Sequence, residues 1–168
     1  EEKIQKYYNE HLENIYSQLI DNIMENMPVF FERLIVDLLL KMEYGYDDHS
    51  GIVVGGSHDN DGIDGGINED KLGLSLIYLQ AKRYAQKNKV GWPKIQSFVG
   101  AMQNIQKGVF ITTSSFSREA KEFAEHQHQK NLNLIDGGML THLMVKYEVG
   151  IASQQSLKIY KVDNSYFE

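Results

Sequence analysis

Three side chains with the right chemistry for metal-assisted phosphodiester hydrolysis recur within nineteen positions of this sequence: Asp64, Gln80 and Lys82. A carboxylate and an amide oxygen are hard donors suited to Mg²⁺, with Mn²⁺ as a substitute; such an ion keeps several waters and takes the rest of its shell from phosphate. The ion would polarise the scissile phosphate and acidify a bound water. A partly buried lysine would steady that water and the charge developing on phosphorus. Each residue also has a plainer reading. Asp64 lies in Asp61-Gly62-Ile63-Asp64-Gly65-Gly66, which would serve as a polar turn. Lys82 alone would simply carry its ammonium out to water. Glu32 falls about 100° away from the polar stripe of Arg33, Asp37 and Lys41 on a helical wheel. A carboxylate on the apolar side of a helix needs a partner. That partner is either a structural cation, a solvated rim, or a metal.

These groups must be carried by definite elements. Apolar residues at helical spacing from Ile4 to Met27 predict one amphipathic helix over 4–27. Pro28 suits the first turn of a second helix, over 28–43, that is apolar nearly all round and therefore belongs to the core. The period then changes. Ile52-Val53-Val54 and Ile63–Ile67 predict short strands, and Glu69-Asp70-Lys71 with Gly73 predicts a hairpin turn. Leu74–Lys82 is the strongest strand, with Leu74, Leu76, Tyr78, Gln80 and Lys82 on one face and Ser75, Ile77, Leu79 and Ala81 on the other. Apolar residues on both faces predict a central position. Downstream come a helix from Pro93 to about Gln106 and a strand at 109–111. Ser117 caps a helix to about Gln129, 132–135 forms a strand, and Asp136 caps a helix through Tyr147. A last edge strand is expected over Ser156–Val162. Helices, an antiparallel meander, then strand–helix–strand–helix predict an α/β sandwich with a central mixed sheet flanked by helices.

Composition narrows the function classes. The chain has 168 residues, 42% hydrophobic and 24% charged, with 2 Pro, which excludes disordered and low-complexity architectures. No apolar run approaches about 20 residues, so no membrane span is expected. With 0 Cys there is neither a disulfide framework nor a cysteine zinc site, and a reducing cytoplasm is the expected location. A net charge of −6 argues against a broad electrostatic surface for nucleic acid, so any polyanion must meet a local basic feature, a metal or another domain. Lys82, Arg83, Lys87, Lys89 and Lys94 beside Tyr84 and Trp92 supply one such cluster. Other motifs fail on inspection. In Asp59-Asn60-Asp61-Gly62 a calcium loop would put Asn68 where a bidentate Glu is required. His126 and His128 do not share a helical face, and His49 and His58 have no third ligand at telling spacing. Gly55-Gly56 lacks the Lys-Ser/Thr of a phosphate loop.

The ordered set Phe31-Glu32-Arg33-Leu34, Asp64-Gly65, Gln80-Ala81-Lys82-Arg83-Tyr84, Phe98-Val99-Gly100-Ala101, Gly108–Ser114, Phe116-Ser117 and Leu134-Ile135-Asp136-Gly137 resembles the Mrr-type restriction endonuclease catalytic domain. That domain belongs to the PD-(D/E)xK nuclease group with its three-layer sandwich. The resemblance runs from about Pro28 to Phe167, which divides the chain into a connector helix, 1–27, and a catalytic domain, 28–168. It implies that Asp64 binds the metal, Lys82 is the catalytic lysine, Gln80 replaces the acid of the broader pattern and completes the metal shell, and Glu32 adds a second metal contact. It also implies double-stranded DNA, methylated in the type IV systems, as substrate, and Gln96 resembles a recurrent glutamine of the family; Arg83 and Tyr84 of the basic cluster and the strand-end hydroxyls of Thr113 and Ser114 are the other expected DNA contacts. Cutting both strands implies two copies, and a separate N-terminal recognition domain is expected outside this chain. The family often reads Asp-Gly-Gly-Ile-Asp-Gly where this chain has Asn60-Asp61-Gly62-Ile63-Asp64-Gly65, so an outer acid has moved or gone. Gln80 in place of an acid keeps open a non-catalytic DNA-binding or assembly module, and a repair or RNA nuclease of the same fold is a further competing reading.

Overall fold

A computed structural model describes residues 2–45, 52–54, 62–156 and 158–168. Two helices, α1 (Glu2–Glu25) and α2 (Pro28–Lys41), precede three strands, β1 (Ile52–Val54), β2 (Gly62–Asn68) and β3 (Leu76–Lys82). Then α3 (Trp92–Ala101), β4 (Lys107–Thr112), α4 (Arg118–Glu125), β5 (Asn131–Ile135) and α5 (Gly137–Lys146) alternate, and a short 3₁₀ turn, Asn164–Tyr166, lies near the end. The five strands form one sheet in the order β1-β2-β3-β4-β5. β1–β2 and β2–β3 pair antiparallel, while β3–β4 and β4–β5 pair parallel. β3 is thus central, as its apolar residues on both faces require.

The period-2 alternation of β3 sorts the core into two layers. On one side Ile67, Ile77, Leu79, Ala81, Ile111 and Ile135 meet Leu19 and Ile23 of α1, Phe31, Leu34, Ile35 and Leu38 of α2, and Leu140 and Met144 of α5. On the other, Tyr78, Phe110, Leu132 and Leu134 meet Ile95 and Phe98 of α3, Met102, and Ala120 of α4. Helices therefore cover both faces, and the mixed sheet is the middle of three layers. The last turns of α1 are part of this core, since Leu19, Ile20 and Ile23 are buried.

Capping chemistry sets several boundaries. The Ser117 hydroxyl accepts the Ala120 N–H at 3.1 Å, and Asp136 Oδ1 accepts the Met139 N–H at 2.9 Å, as an N-cap should. Asp70 shapes the β2–β3 turn: its Oδ1 accepts the N–H groups of Leu72 and Leu74, and its Oδ2 accepts that of Ser75 at 2.6 Å. Leu74 and Ser75 consequently belong to the turn, and the strand expected from Leu74 begins at Leu76. Lys107 of β4 pairs with Glu69 across the foot of the sheet; its ammonium, with the Ser75 hydroxyl, holds the Glu69 carboxyl below the usual range.

Other boundaries differ from expectation for physical reasons. α3 stops at Ala101, before the expected Gln106, because the chain turns through Gln103 at φ 47° to start β4. α4 stops at Glu125 rather than about Gln129, because the chain must reach Asn131, whose N–H bonds to the Gln106 carbonyl at 2.8 Å. The edge strand expected over Ser156–Val162 does not form among the described residues of that stretch. Ile159 and Tyr160 have strand-forming side chains but are 58% and 83% exposed and pair with no strand. β-propensity expresses itself only against a neighbouring strand.

Gly137, first residue of α5, lies so close to the end of β4 that a Cβ there would sit 2.3 Å from the Thr113 carbonyl oxygen. Backbone cannot yield as a flexible side chain does. Gly137→Ala should lose about 2–3 kcal/mol of unfolding free energy, read from urea denaturation. Gly138→Ala, whose Cβ would meet Asp136 Oδ1 at 3.4 Å, should stay much closer to wild type.

Candidate active site

Register builds the site. In the β2–β3 pair Asp64 stands directly opposite Gln80, Gly62 opposite Lys82, and Gly66 opposite Tyr78. Directly opposed residues project to the same face, so Asp64, Tyr78, Gln80 and Lys82 share the face covered by α3 and α4. On β2 the positions flanking Asp64 on this face are Gly62 and Gly66, and neither contributes a side chain. Asp64, Tyr78, Gln80 and Lys82 are all half-buried, between the packed core and open water. The structure therefore brings together the three sequence-predicted residues Asp64, Gln80 and Lys82.

It adds one that the sequence reading placed on this face but gave no role. The Tyr78 hydroxyl donates a hydrogen bond to Asp64 Oδ1. Burial and the adjacent carboxylate both raise the Tyr78 phenol above its usual range, so it stays protonated and remains a donor. The diagonal step from Tyr78 to Asp64 is within reach of an aromatic side chain. The sequence signal was there: a Tyr two residues before Gln80 on the same face.

The donor set suits a hard cation. A carboxylate and an amide side chain stand opposite one another on facing strands, with a lysine two residues beyond the amide. Among the described residues, no group of three or more His, Asp and Glu side chains gathers to hold a metal. Glu32 is half-buried on α2, whose buried neighbours Phe31, Leu34 and Ile35 pack on the opposite side of the sheet from Asp64. Asp59, Asp61, His49, His58 and Gly55-Gly56 lie outside the described residues.

The five expected DNA contacts separate into two groups. Thr113 and Ser114 are only 1% and 5% exposed, and their hydroxyls are committed inside the protein. Thr113 Oγ1 accepts the Tyr84 N–H at 2.9 Å and donates to the Tyr84 carbonyl at 2.7 Å. Ser114 Oγ donates to the Asn88 carbonyl at 2.6 Å. That arrangement differs from the phosphate contact expected of them: the pair fastens the loop after β3 to the end of β4. The Arg83 guanidinium bonds the carbonyls of Ile23 at 3.3 Å, Met24 at 3.5 Å and also Asn26, at the C-terminal end of α1. A cation there satisfies orphan carbonyls and complements the helix dipole. Tyr84 is half-buried beside the Phe98–Phe110 layer, whereas Gln96 is exposed on α3, over the face that carries Asp64. Lys87, Lys89 and Lys94 are exposed nearby in sequence.

Against this geometry, the restriction endonuclease family model Mrr_cat matches residues 23–144. The chain belongs to the Mrr-type restriction endonuclease catalytic family. It is 39% identical over 170 residues to the type IV methyl-directed restriction enzyme EcoKMrr of Escherichia coli (strain K12), an alignment covering 100% of this chain and 54% of that protein. The Mrr-type chain thus spans about half the length of that relative. Among solved structures, the DNA modification-dependent restriction endonuclease AspBHI superposes with a TM-score of 0.58 at 18% identity, over 83% of this chain and 36% of its own. The MspJI restriction endonuclease in complex with a 27-mer oligonucleotide gives a TM-score of 0.54 at 22% identity, over 77% of this chain and 30% of its own. Both share the fold, so the three-layer sandwich is restriction-endonuclease-like. No helix among the described residues is long and apolar enough to cross a membrane.

Arg83 follows Lys82 directly, so its attachment to α1 also braces the end of the site strand. Arg83→Ala should lower unfolding free energy by about 2 kcal/mol, the scale for charge-assisted hydrogen bonds. Exposed Lys87→Ala should stay within about 0.5 kcal/mol of wild type in the same urea titration.

Proposed function

We propose that this domain is a Mg²⁺-dependent endodeoxyribonuclease, with Mn²⁺ as a substitute, that cuts modified (methylated) DNA as part of a cytoplasmic restriction system. The observation that carries the reading is the placement of Asp64 opposite Gln80 on one sheet face, with Lys82 two residues beyond Gln80. When bound, the divalent ion would supply Lewis acidity toward a phosphate oxygen and a more acidic water. Asp64 offers the charged oxygen that draws the cation, and Gln80 offers a neutral one from the facing strand. The Lys82 ammonium holds the attacking water in line and stabilises the negative charge that grows on the phosphoryl oxygens.

The substrate assignment draws on the relatives, whose names describe methyl-directed and modification-dependent restriction enzymes. Among the described residues of the site, none is assigned to reading a methyl group, and recognition is assigned to a separate N-terminal domain. A net charge of −6 fits that division of labour, with Lys87, Lys89, Lys94 and Gln96 forming a local rim for the phosphate backbone. Cleavage of both strands of a duplex calls for two such sites, which a homodimer or higher oligomer provides.

Supercoiled plasmid incubated with the protein should be nicked in the presence of Mg²⁺ and left intact with a chelator. Asp64→Ala should abolish nicking, and Lys82→Ala should slow it about 10²–10³-fold, the scale for removing one group that stabilises transition-state charge. Unchanged cutting by both variants would mean that a contaminating nuclease does the work. Absence of metal-dependent cutting by wild type, with DNA binding retained, would favour the non-catalytic module that Gln80 in an acid's place suggests.

A further inference from the structure

Tyr78 is held more deliberately than a core aromatic needs to be. On both sides its register partners are glycines, Gly66 in β2 and Gly108 in β4. A Cβ at Gly108 would meet Met102 Sδ at 2.8 Å and Phe98 Cζ at 2.9 Å. The bare position lets Phe98 come down onto the sheet beside Tyr78, with ring centroids 5.5 Å apart. Phe98 is braced in turn edge-on by Phe110 at 5.4 Å. A Cβ at Gly66 would press on Leu76 at 3.1 Å, so that side is closely filled as well. The ring is therefore fixed by packing, and its hydroxyl reaches Asp64 Oδ1 rather than solvent.

We infer that Tyr78 is a positioning residue for the cation site, orienting the Asp64 carboxylate toward Gln80 and Lys82 through its hydroxyl. The inference rests on the reading of Asp64 as the charged metal donor. A carboxylate on a strand otherwise free to rotate about χ1 and χ2 loses that freedom when one oxygen is bonded to a rigid donor. The other oxygen then faces the site without an entropy cost at the moment of binding. Groups that orient metal-binding side chains in this way typically change affinity about 10–100-fold when removed.

Tyr78→Phe keeps the ring, its contact with Phe98 and its volume, and removes only the hydroxyl. Mn²⁺ binding to the metal-free protein, followed by electron paramagnetic resonance, should weaken about 10-fold. A purely packing role predicts an unmoved dissociation constant. An unmoved constant, with Asp64→Ala abolishing binding, overturns the inference and leaves the metal reading intact. Asp64→Ala binding Mn²⁺ as wild type does would overturn both. A second measurement needs no substitution at position 78: in wild type labelled with ¹³Cζ-tyrosine, the assigned Tyr78 resonance should shift as Mg²⁺ saturates the protein. A static resonance during saturation overturns the inference even if the Phe variant does not fold.

Discussion

Asp64 faces Gln80 because β2 and β3 pair in one antiparallel register, and every chemical feature of the site depends on that alignment. The side-chain period of a strand is two, so a one-residue slip would carry Asp64 to the opposite face, into the layer of Phe31, Ile35 and Leu79. Such a slip would also bring Ile67 out of that layer. The cost of burying an unpaired carboxylate in hydrocarbon stands against it. The register that packs the core is thus the register that assembles the donors.

Several local devices lock the alignment. The Asp70 carboxylate gathers the N–H groups of Leu72, Leu74 and Ser75 and fixes the length of the turn. Lys107 ties Glu69 to the foot of β4. At the far end, Thr113 and Ser114 fasten the loop after Lys82, and Arg83 grips the end of α1. Lys82 therefore lies between two anchored points, which keeps a flexible side chain rooted at a fixed place.

Much of this was legible in the sequence because periodicity carries it. The two faces of Leu76–Lys82, the caps at Ser117 and Asp136, and the Asp70 turn all follow from residue types at fixed offsets. Gln80 and Lys82 were conspicuous as polar groups on an otherwise apolar strand face. What escaped were relations between residues far apart in the chain. The bond from Tyr78 to Asp64 depends on strand register, which no local pattern encodes. Thr113 and Ser114 read as surface hydroxyls because the partners that bury them, Tyr84 and Asn88, lie more than twenty residues upstream. Ile159 and Tyr160 read as a strand because side-chain type was visible and the lack of strand pairing was not.

The glycines of β2 have an energetic consequence. Gly62, Gly65 and Gly66 contribute no side-chain packing, and each interior glycine costs roughly 0.5–1 kcal/mol relative to Ala. The strand that carries Asp64 is accordingly held by its backbone ladder more than by its surroundings. Any ligand gripping Asp64 and Gln80 together would clasp two strands at once, and by mass action would stabilise the folded sheet by an amount that grows with the logarithm of its concentration over its dissociation constant. Occupancy of the Asp64–Gln80 pair and integrity of the sheet are in this sense one equilibrium.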